Sequence, residues 1–228
     1  MGKVCPLYGV AIYMDCLDCD KKVCRMKYKT ICIGVDQSYN NTGISISVDG
    51  KLLVVKSIQL NKYKTNSDKR KELRKYLYKV LEKIKNKSIN IVCVIERIRL
   101  RSQGFINIDY IKSIGALNSV IVDVMSDFNI QVYSVDTRCW KSQVVGTSKP
   151  SKNNFGVPDE KWPTVKWCLN KGFIDDLLID MSHTRKTKGT FIDPKTKKRM
   201  MFNNDAADSA AISMFWFVGE HDKLKLEK

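Results

Sequence analysis

The chain has few of the residues on which most hydrolytic chemistry depends, and this scarcity narrows the kinds of site it can hold. Only two histidines, His183 and His221, occur among its 228 residues, and neither has the setting of a metalloprotease or a catalytic triad. No GxxxxGK(S/T) phosphate loop is present, which argues against an ATP-driven motor. If the chain performs chemistry, its carboxylates must carry most of it.

Long hydrophobic runs are also missing. No segment approaches the length of a membrane span, and Met1–Gly2–Lys3 leads into a cysteine-bearing segment rather than a secretory signal. We therefore expect a cytoplasmic protein, in which the eight cysteines are core thiols or metal ligands rather than disulfides. A hydrophobic fraction of 43% is enough for one domain of ordinary size.

Acidic residues are outnumbered by basic ones. Lys and Arg total 40 against 24 Asp and Glu, which gives a formal charge of +16. This excess favours a polyanionic partner, and nucleic acid is the commonest one in that compartment. The alternative is an AT-rich genome that encodes many lysines.

Apolar patterning divides the chain into three parts: a cysteine-rich segment (1–29), a folded domain (30–220) and a charged tail (221–228). Strands are predicted from alternating or continuous apolar runs, and helices from apolar residues at helical spacing. The predicted strands are 31–36, 44–48, 52–60, 91–95 and 130–135, and the predicted helices are 67–87, 106–127, 137–145, 164–171 and 204–218. This order indicates an α/β fold with a mixed five-stranded sheet. A strongly basic insert covers about 183–202, with a hairpin at 190–202.

Four carboxylates stand out by position. Asp36 and Glu96 each end a buried strand, and if these strands are parallel neighbours the two side chains meet at one edge of the sheet. Asp205 and Asp208 are three residues apart and share a helical face, on which alanines permit close packing. Taken singly, a strand-ending Asp is usually a turn residue, and Asp205 could be a helix cap.

A pocket with four acids requires cations, because like charges at this distance repel strongly. Mg²⁺ or Mn²⁺ suits carboxylate ligands without histidines. Two such ions about 3.5–4 Å apart can activate water and stabilise the leaving oxygen of a phosphodiester.

Four motifs occur in the order found in one known family. They are IGVDQSYNNTGISI (33–46), VIER (94–97), KSQVVG (141–146) and NDAADSAAI (204–212). Together they resemble RuvC-type Holliday junction resolvases, a branch of the ribonuclease H-like superfamily. As in these resolvases, the glutamate ends a strand and the paired aspartates share the last helix. The divergent motifs and the many lysines favour a phage or mobile-element member.

The resemblance implies a ribonuclease H-like fold and a homodimer that uses Mg²⁺ to nick two opposed strands of a four-way DNA junction. It implies that Asp36 and Asp208 hold metal and orient water, while Glu96 and Asp205 complete the two sites. Lys141 matches a phosphate-contacting lysine, and Lys161 a second lysine near the scissile group.

One departure from the family concerns the junction centre. Many members have an aromatic residue directly after the glutamate, whereas this chain has Arg97. Since arginine can contact phosphate and stack on bases, junction opening would pass to Arg99, Arg101 or Phe105.

The cysteines form two groups. Cys5, Cys16, Cys19 and Cys24 lie within twenty residues, and the Cys16-x-x-Cys19 spacing suits a structural Zn²⁺. Free or redox-active thiols are the alternative. Cys32, Cys93, Cys139 and Cys168 lie in apolar runs and are expected to be buried.

Three other functions fit parts of the pattern. A ribonuclease H-like enzyme that cuts RNA–DNA hybrids would share the four acids. A transposase-like activity would usually need an added recognition domain. A non-catalytic zinc-bearing DNA-binding protein would leave DNA intact with or without metal. The basic insert either touches a DNA arm or is a solvated loop.

Overall fold

The computed structural model describes residues 30–85, 90–98, 108–173, 177–182 and 189–227. Within these ranges strands and helices alternate as the apolar patterning predicts. The strands are β1 (Thr30–Asp36), β2 (Asn41–Val48), β3 (Lys51–Gln59), β4 (Asn90–Glu96), β5 (Gln131–Val135), β6 (Leu178–Asp180), β7 (Phe191–Ile192), β8 (Arg199–Phe202) and β9 (Lys225–Leu226). The α-helices are α1 (Asn66–Ile84), α2 (Ile108–Asp127), α3 (Thr137–Trp140), α4 (Trp162–Asn170) and α5 (Asn204–Val218).

The main sheet is mixed and has the strand order β3-β2-β1-β4-β5-β9. β1, β4 and β5 are parallel neighbours, and β2 and β3 extend the sheet through antiparallel hairpins. The sheet therefore has six strands rather than the predicted five. The additional strand, β9, comes from the segment set apart as a charged tail and pairs with β5. Its two residues are too few to give a periodic pattern in the sequence.

Successive side chains of β1 and β4 point to opposite faces of the sheet. Ile31, Ile33 and Val35 of β1 face α1 and α2 in the larger core. The intervening residues of β1, among them Cys32 and Asp36, face the side that α5 covers, as do Val92, Val94 and Glu96 of β4. Both strand-ending acids therefore point towards the same helix.

α5 lies unusually close to the sheet because glycines stand opposite it. A Cβ atom at Gly43 would lie 1.9 Å from the carbonyl oxygen of Asp205, and one at Gly34 would lie 2.3 Å from that of Ser209. Buried hydroxyls complete the contact: Ser45 Oγ donates to the Ser209 carbonyl at 2.6 Å, and the hydroxyls of Ser47 and Ser213 are 2.6 Å apart. These contacts fix the depth and register of α5.

A three-stranded sheet of order β6-β8-β7 lies before α5. β7 and β8 form the predicted hairpin at 190–202, whereas β6 was not predicted. The rings of Phe155, Trp162, Phe191 and Phe202 pack together with centroids 5.0–6.1 Å apart. This aromatic cluster joins the loop before α4 to the hairpin before α5.

The segment predicted as one helix at 137–145 is divided. α3 ends at Trp140, and Lys141–Val145 continue as a π-helical turn that ends at Gly146 in the left-handed conformation. A wider turn of this kind rotates the side chains that follow it. Within the described ranges no helix combines the length and the apolarity that crossing a membrane requires.

The close approach of α5 gives a first prediction. Gly43→Ala should lower the free energy of unfolding by about 1–3 kcal/mol, because its methyl group would overlap the Asp205 carbonyl and push α5 away. Urea unfolding followed by circular dichroism measures the change.

Gly115→Ala is the matched control. Nothing lies within 4 Å of a Cβ atom at Gly115, which is in α2. Its substitution should leave stability unchanged or raise it by up to about 1 kcal/mol through helix propensity. Equal losses in the two variants would contradict the packing described for α5.

Candidate active site

Asp36 and Glu96 lie side by side at the carboxyl edge of the main sheet. β1 and β4 are paired in parallel with Val35 opposite Ile95, so the acids occupy the next position on each strand. Neighbouring strands are about 4.8 Å apart. The juxtaposition expected from the sequence is therefore present, and Asp36 is only 8% exposed.

α5 brings Asp205 and Asp208 to the same edge. Its N-cap is Asn203, whose Oδ1 accepts from the backbone N–H of Ala206 at 3.2 Å and whose amide donates to Ser57 of β3. This attaches the first turn of the helix to the sheet beside Asp36. Asp208 is 1% exposed, and its Oδ1 has no hydrogen-bond partner among the described residues.

Electrostatics shows that the four acids share one environment. Burial, followed by the charges of Glu96 and Asp208, raises the pKa of Asp36 well above its usual value. Burial is also the main cause of the raised pKa of Glu96, and Asp208 adds to it. Burial raises the pKa of Asp205 to about 6, with a further contribution from Asp208. Each group would lose its proton more readily if a cation lay among them.

Lys161 supplies a positive charge to this cluster. Its ammonium donates to Asp208 Oδ2, and the lysine side chain is 32% exposed. Burial by itself would lower the pKa of Lys161, but the charges of Asp208, Asp36 and Glu96 outweigh it and raise that pKa. The lysine thus reaches the acids from the start of α4 while keeping a path to solvent.

Lys141, which is predicted to contact phosphate, contacts the protein backbone in this structure. It is 9% exposed, and its ammonium donates to the backbone carbonyl of Glu160 at 2.9 Å. Since Glu160 directly precedes Lys161, this hydrogen bond holds the backbone that carries Lys161. The charge of Lys141 also acts on Glu96.

Two further residues contact the site and were missed in the sequence. The Gln37 amide donates to the Glu96 carbonyl and ties the ends of β1 and β4 together. Thr137 Oγ1 donates to Glu96 Oε1 and opposes the rise of that residue's pKa. Thr137 follows the end of β5, so the strand-end rule that identified Asp36 and Glu96 could have found it.

The donor set suits a hard divalent cation. All four acids offer oxygen ligands, and Oδ1 of Asp208, which no described residue contacts by a hydrogen bond, is a buried acceptor that a cation would satisfy. Across the described ranges no three acidic, histidine or cysteine side chains already have the spacing that holds an ion. At Asp208 the ammonium of Lys161 contacts Oδ2 and leaves Oδ1 free of any partner within the described ranges.

Seven predicted site residues fall on parts of the chain that the structure does not describe. Arg99, Arg101 and Phe105, and the cysteines Cys5, Cys16, Cys19 and Cys24, lie outside the described residues. Of the other cysteines, Cys32, Cys93 and Cys168 are buried as expected. Cys139 is only partly buried, because it lies on α3 at the edge of its core cluster.

Comparison with known proteins identifies the fold. No protein-family model matches the chain, and a search of curated proteins finds no match. The structure is similar to Thermus thermophilus RuvC, with a TM-score of 0.54 and 12% identity, over 86% of this chain and 99% of that one. It is also similar to T. thermophilus RuvC in complex with Holliday junction substrate, with a TM-score of 0.53 and 10% identity, over 87% and 99%. The chain has the RuvC-like, ribonuclease H-like fold that its motifs predicted.

The raised pKa of Asp205 predicts a pH-dependent stability. In the folded state the pKa of Asp205 is about 6, whereas an ordinary carboxyl has a pKa of 3.8. The unfolded chain therefore loses this proton first, and the metal-free protein becomes less stable as the pH rises from about 4 to about 6. Asp205→Asn removes this loss. The free energy of unfolding of Asp205→Asn minus that of wild type should therefore increase by roughly 2–3 kcal/mol between about pH 4 and pH 7 in EDTA. A pH-independent difference between the two proteins would contradict this assignment.

The Lys161–Asp208 pair predicts a large effect of removing the lysine. Lys161→Gln leaves Asp208 buried without a cation and should destabilise the metal-free protein by roughly 2–4 kcal/mol. Lys198→Gln is the control, since its ion pair with Asp180 is exposed and screened by solvent and should contribute little to stability.

Thermal unfolding in EDTA and then in excess Mg²⁺ measures both effects. Mg²⁺ should restore more stability to Lys161→Gln than to wild type or Lys198→Gln, because it replaces the missing charge. Equal responses of all three proteins would exclude this role for Lys161.

Proposed function

We propose that this protein is a metal-dependent endonuclease that cuts branched DNA, with four-way junctions as its main substrate. The observation that carries the proposal is the convergence of four carboxylates at one sheet edge, on a fold shared with RuvC. The net charge of +16 supports a nucleic-acid substrate. We assign catalysis to Asp36, Glu96, Asp205 and Asp208.

The four acids would hold two Mg²⁺ or Mn²⁺ ions. Bound there, the ions would supply Lewis acidity to the scissile phosphate and lower the pKa of a water that attacks phosphorus. By the family resemblance, Asp36 and Asp208 would hold metal and orient that water, while Glu96 and Asp205 would complete the two sites. Lys161 has three N–H donors, so it can contact a phosphate oxygen as well as Asp208. Lys141 would act through the backbone that carries Lys161.

The branched substrate and the assembly are proposed by analogy. They rest on the resemblance of the motifs and on the similarity to T. thermophilus RuvC in complex with Holliday junction substrate. By this analogy the chain would form a homodimer that places two sites against opposed strands and leaves ligatable nicks. Arg99, Arg101 and Phe105 are proposed to contact the junction. Cys5, Cys16, Cys19 and Cys24 are proposed to bind one structural Zn²⁺.

Cleavage assays test the proposal. Purified protein should nick a labelled immobile four-way junction in Mg²⁺, and should leave it intact in EDTA. Asp36→Asn should abolish nicking, because the variant loses a proposed metal ligand. Its affinity for the junction should stay within a few-fold of wild type, because Asp36 is only 8% exposed. Denaturing gels measure nicking, and fluorescence anisotropy in Ca²⁺ measures affinity.

Substrate controls separate the alternatives. A linear duplex of the same sequence should be cut far more slowly than the junction. Preferential cleavage of an RNA–DNA hybrid would move the assignment to a ribonuclease H-like activity. Binding of junction DNA with no metal-dependent cleavage would favour a non-catalytic DNA-binding protein. Retained Mg²⁺-dependent nicking by freshly purified Asp36→Asn would refute the assigned site.

A further inference from the structure

A cleft of about 390 Å³ lies between α1 and α2, on the face of the sheet opposite α5. Its polar lining comes from both helices and carries three positive charges and one negative charge. These residues are Ser67, Arg70, Lys71 and Arg74 of α1, and Ser119 and Asp123 of α2. We call this cleft the α1–α2 groove. Ala116, also in its lining, has a small side chain that keeps the groove open.

The groove keeps an excess of positive charge after its internal ion pair is counted. Arg74 Nη2 lies 3.2 Å from Asp123 Oδ2, which fixes the guanidinium and neutralises the acid. Arg70 and Lys71 are both exposed, and neither forms an ion pair with any residue in the described ranges. Two cations are therefore presented at the mouth of a concave surface, an arrangement that suits an anion rather than a neutral ligand.

The groove lies at the same end of the molecule as the four acids. β1 and β3 run in the same direction, and α1 begins soon after β3, so its first turns lie at the carboxyl edge of the sheet. Lys69 joins the two regions directly: its ammonium lies 4.0 Å from the Tyr39 ring and donates to the Tyr39 carbonyl at 3.3 Å. Tyr39 is in the loop that leaves Asp36.

These contacts limit how far the groove lies from the candidate active site. Two residues separate Asp36 from Tyr39, and α1 rises about 1.5 Å per residue from Lys69 to Arg74, so the separation is on the order of 20 Å at most. This distance corresponds to about six base-pair steps of duplex DNA, at about 3.4 Å per step.

We propose that the α1–α2 groove is a second phosphate-binding site, which holds the sugar–phosphate backbone of a DNA arm that leaves the active site. Arg70 and Lys71 contact successive phosphates, and Arg74, fixed by Asp123, lies behind them. The inference rests on the proposed function, since it takes DNA as the substrate. It adds a sequence-independent contact that contributes to affinity and orientation and takes no part in the chemical step.

The test compares Arg70→Ala/Lys71→Ala with Lys75→Ala/Lys79→Ala. Both pairs are exposed residues of α1, but Lys75 and Lys79 do not line the groove. Anisotropy with a labelled junction in Ca²⁺ is recorded across a salt series. The groove variant should bind at least tenfold more weakly at moderate salt, and its slope of log affinity against log salt should be shallower by about two. The control should stay within threefold of wild type.

Cleavage at saturating enzyme separates this inference from the proposed function. The groove variant should nick the junction at the wild-type rate once it is bound. A wild-type protein that neither binds nor cuts DNA would overturn the proposed function and the groove together. Wild-type cleavage with equal affinities for the groove variant, the control variant and wild type would overturn the groove alone.

Chemical labelling of lysines tests the α1–α2 groove in the wild-type protein, without substitutions. Junction DNA should slow acetylation of Lys71 several-fold and leave that of Lys79 nearly unchanged, as measured by mass spectrometry of the labelled protein. Unprotected Lys71 would contradict the proposal. Protection by inorganic phosphate alone, with none from DNA, would identify a small-anion site and overturn the DNA assignment.

Discussion

The organisation of this protein depends on the placement of four carboxylates where water cannot easily screen them. Asp36 and Glu96 end adjacent parallel strands, and Asp208 lies almost fully buried on the helix that covers them. Burial, together with repulsion from the neighbouring acids, raises the pKa values of Asp36, Glu96 and Asp205. Such a cluster persists only with positive charge beside it. Lys161 provides one such charge, and divalent cations would provide the remainder.

The rest of the fold serves to hold this cluster together. Gly34 and Gly43 remove the side chains that would hold α5 away from the sheet, and serine hydroxyls fix its register. Gln37 and Thr137 hold Glu96 through its carbonyl and its carboxylate. A substitution far from the acids in sequence, but within these contacts, is therefore expected to alter the geometry of the site as well as stability.

The strands that end in acids could be predicted because burial on both faces leaves a continuous apolar run that is easy to read, as in 31–36 and 91–95. The pair Asp205 and Asp208 could be predicted because helical spacing is local. Long-range contacts could not be predicted from the sequence. Lys161 bonds a residue 47 positions away, and Gln37 bonds one 59 positions away, and no periodicity records such pairings. β6 and β9 were missed because two or three residues form no pattern.

We propose above all that the four carboxylates form a site for divalent cations. Titration of the purified protein with Mn²⁺, followed by the loss of the free-ion electron paramagnetic resonance signal at about pH 8, tests it most directly. We predict saturable binding that approaches two ions per chain in wild type and is lost or greatly weakened in Asp36→Asn. Wild-type protein that binds no Mn²⁺ with or without junction DNA, or binding that is identical in the variant, would contradict it.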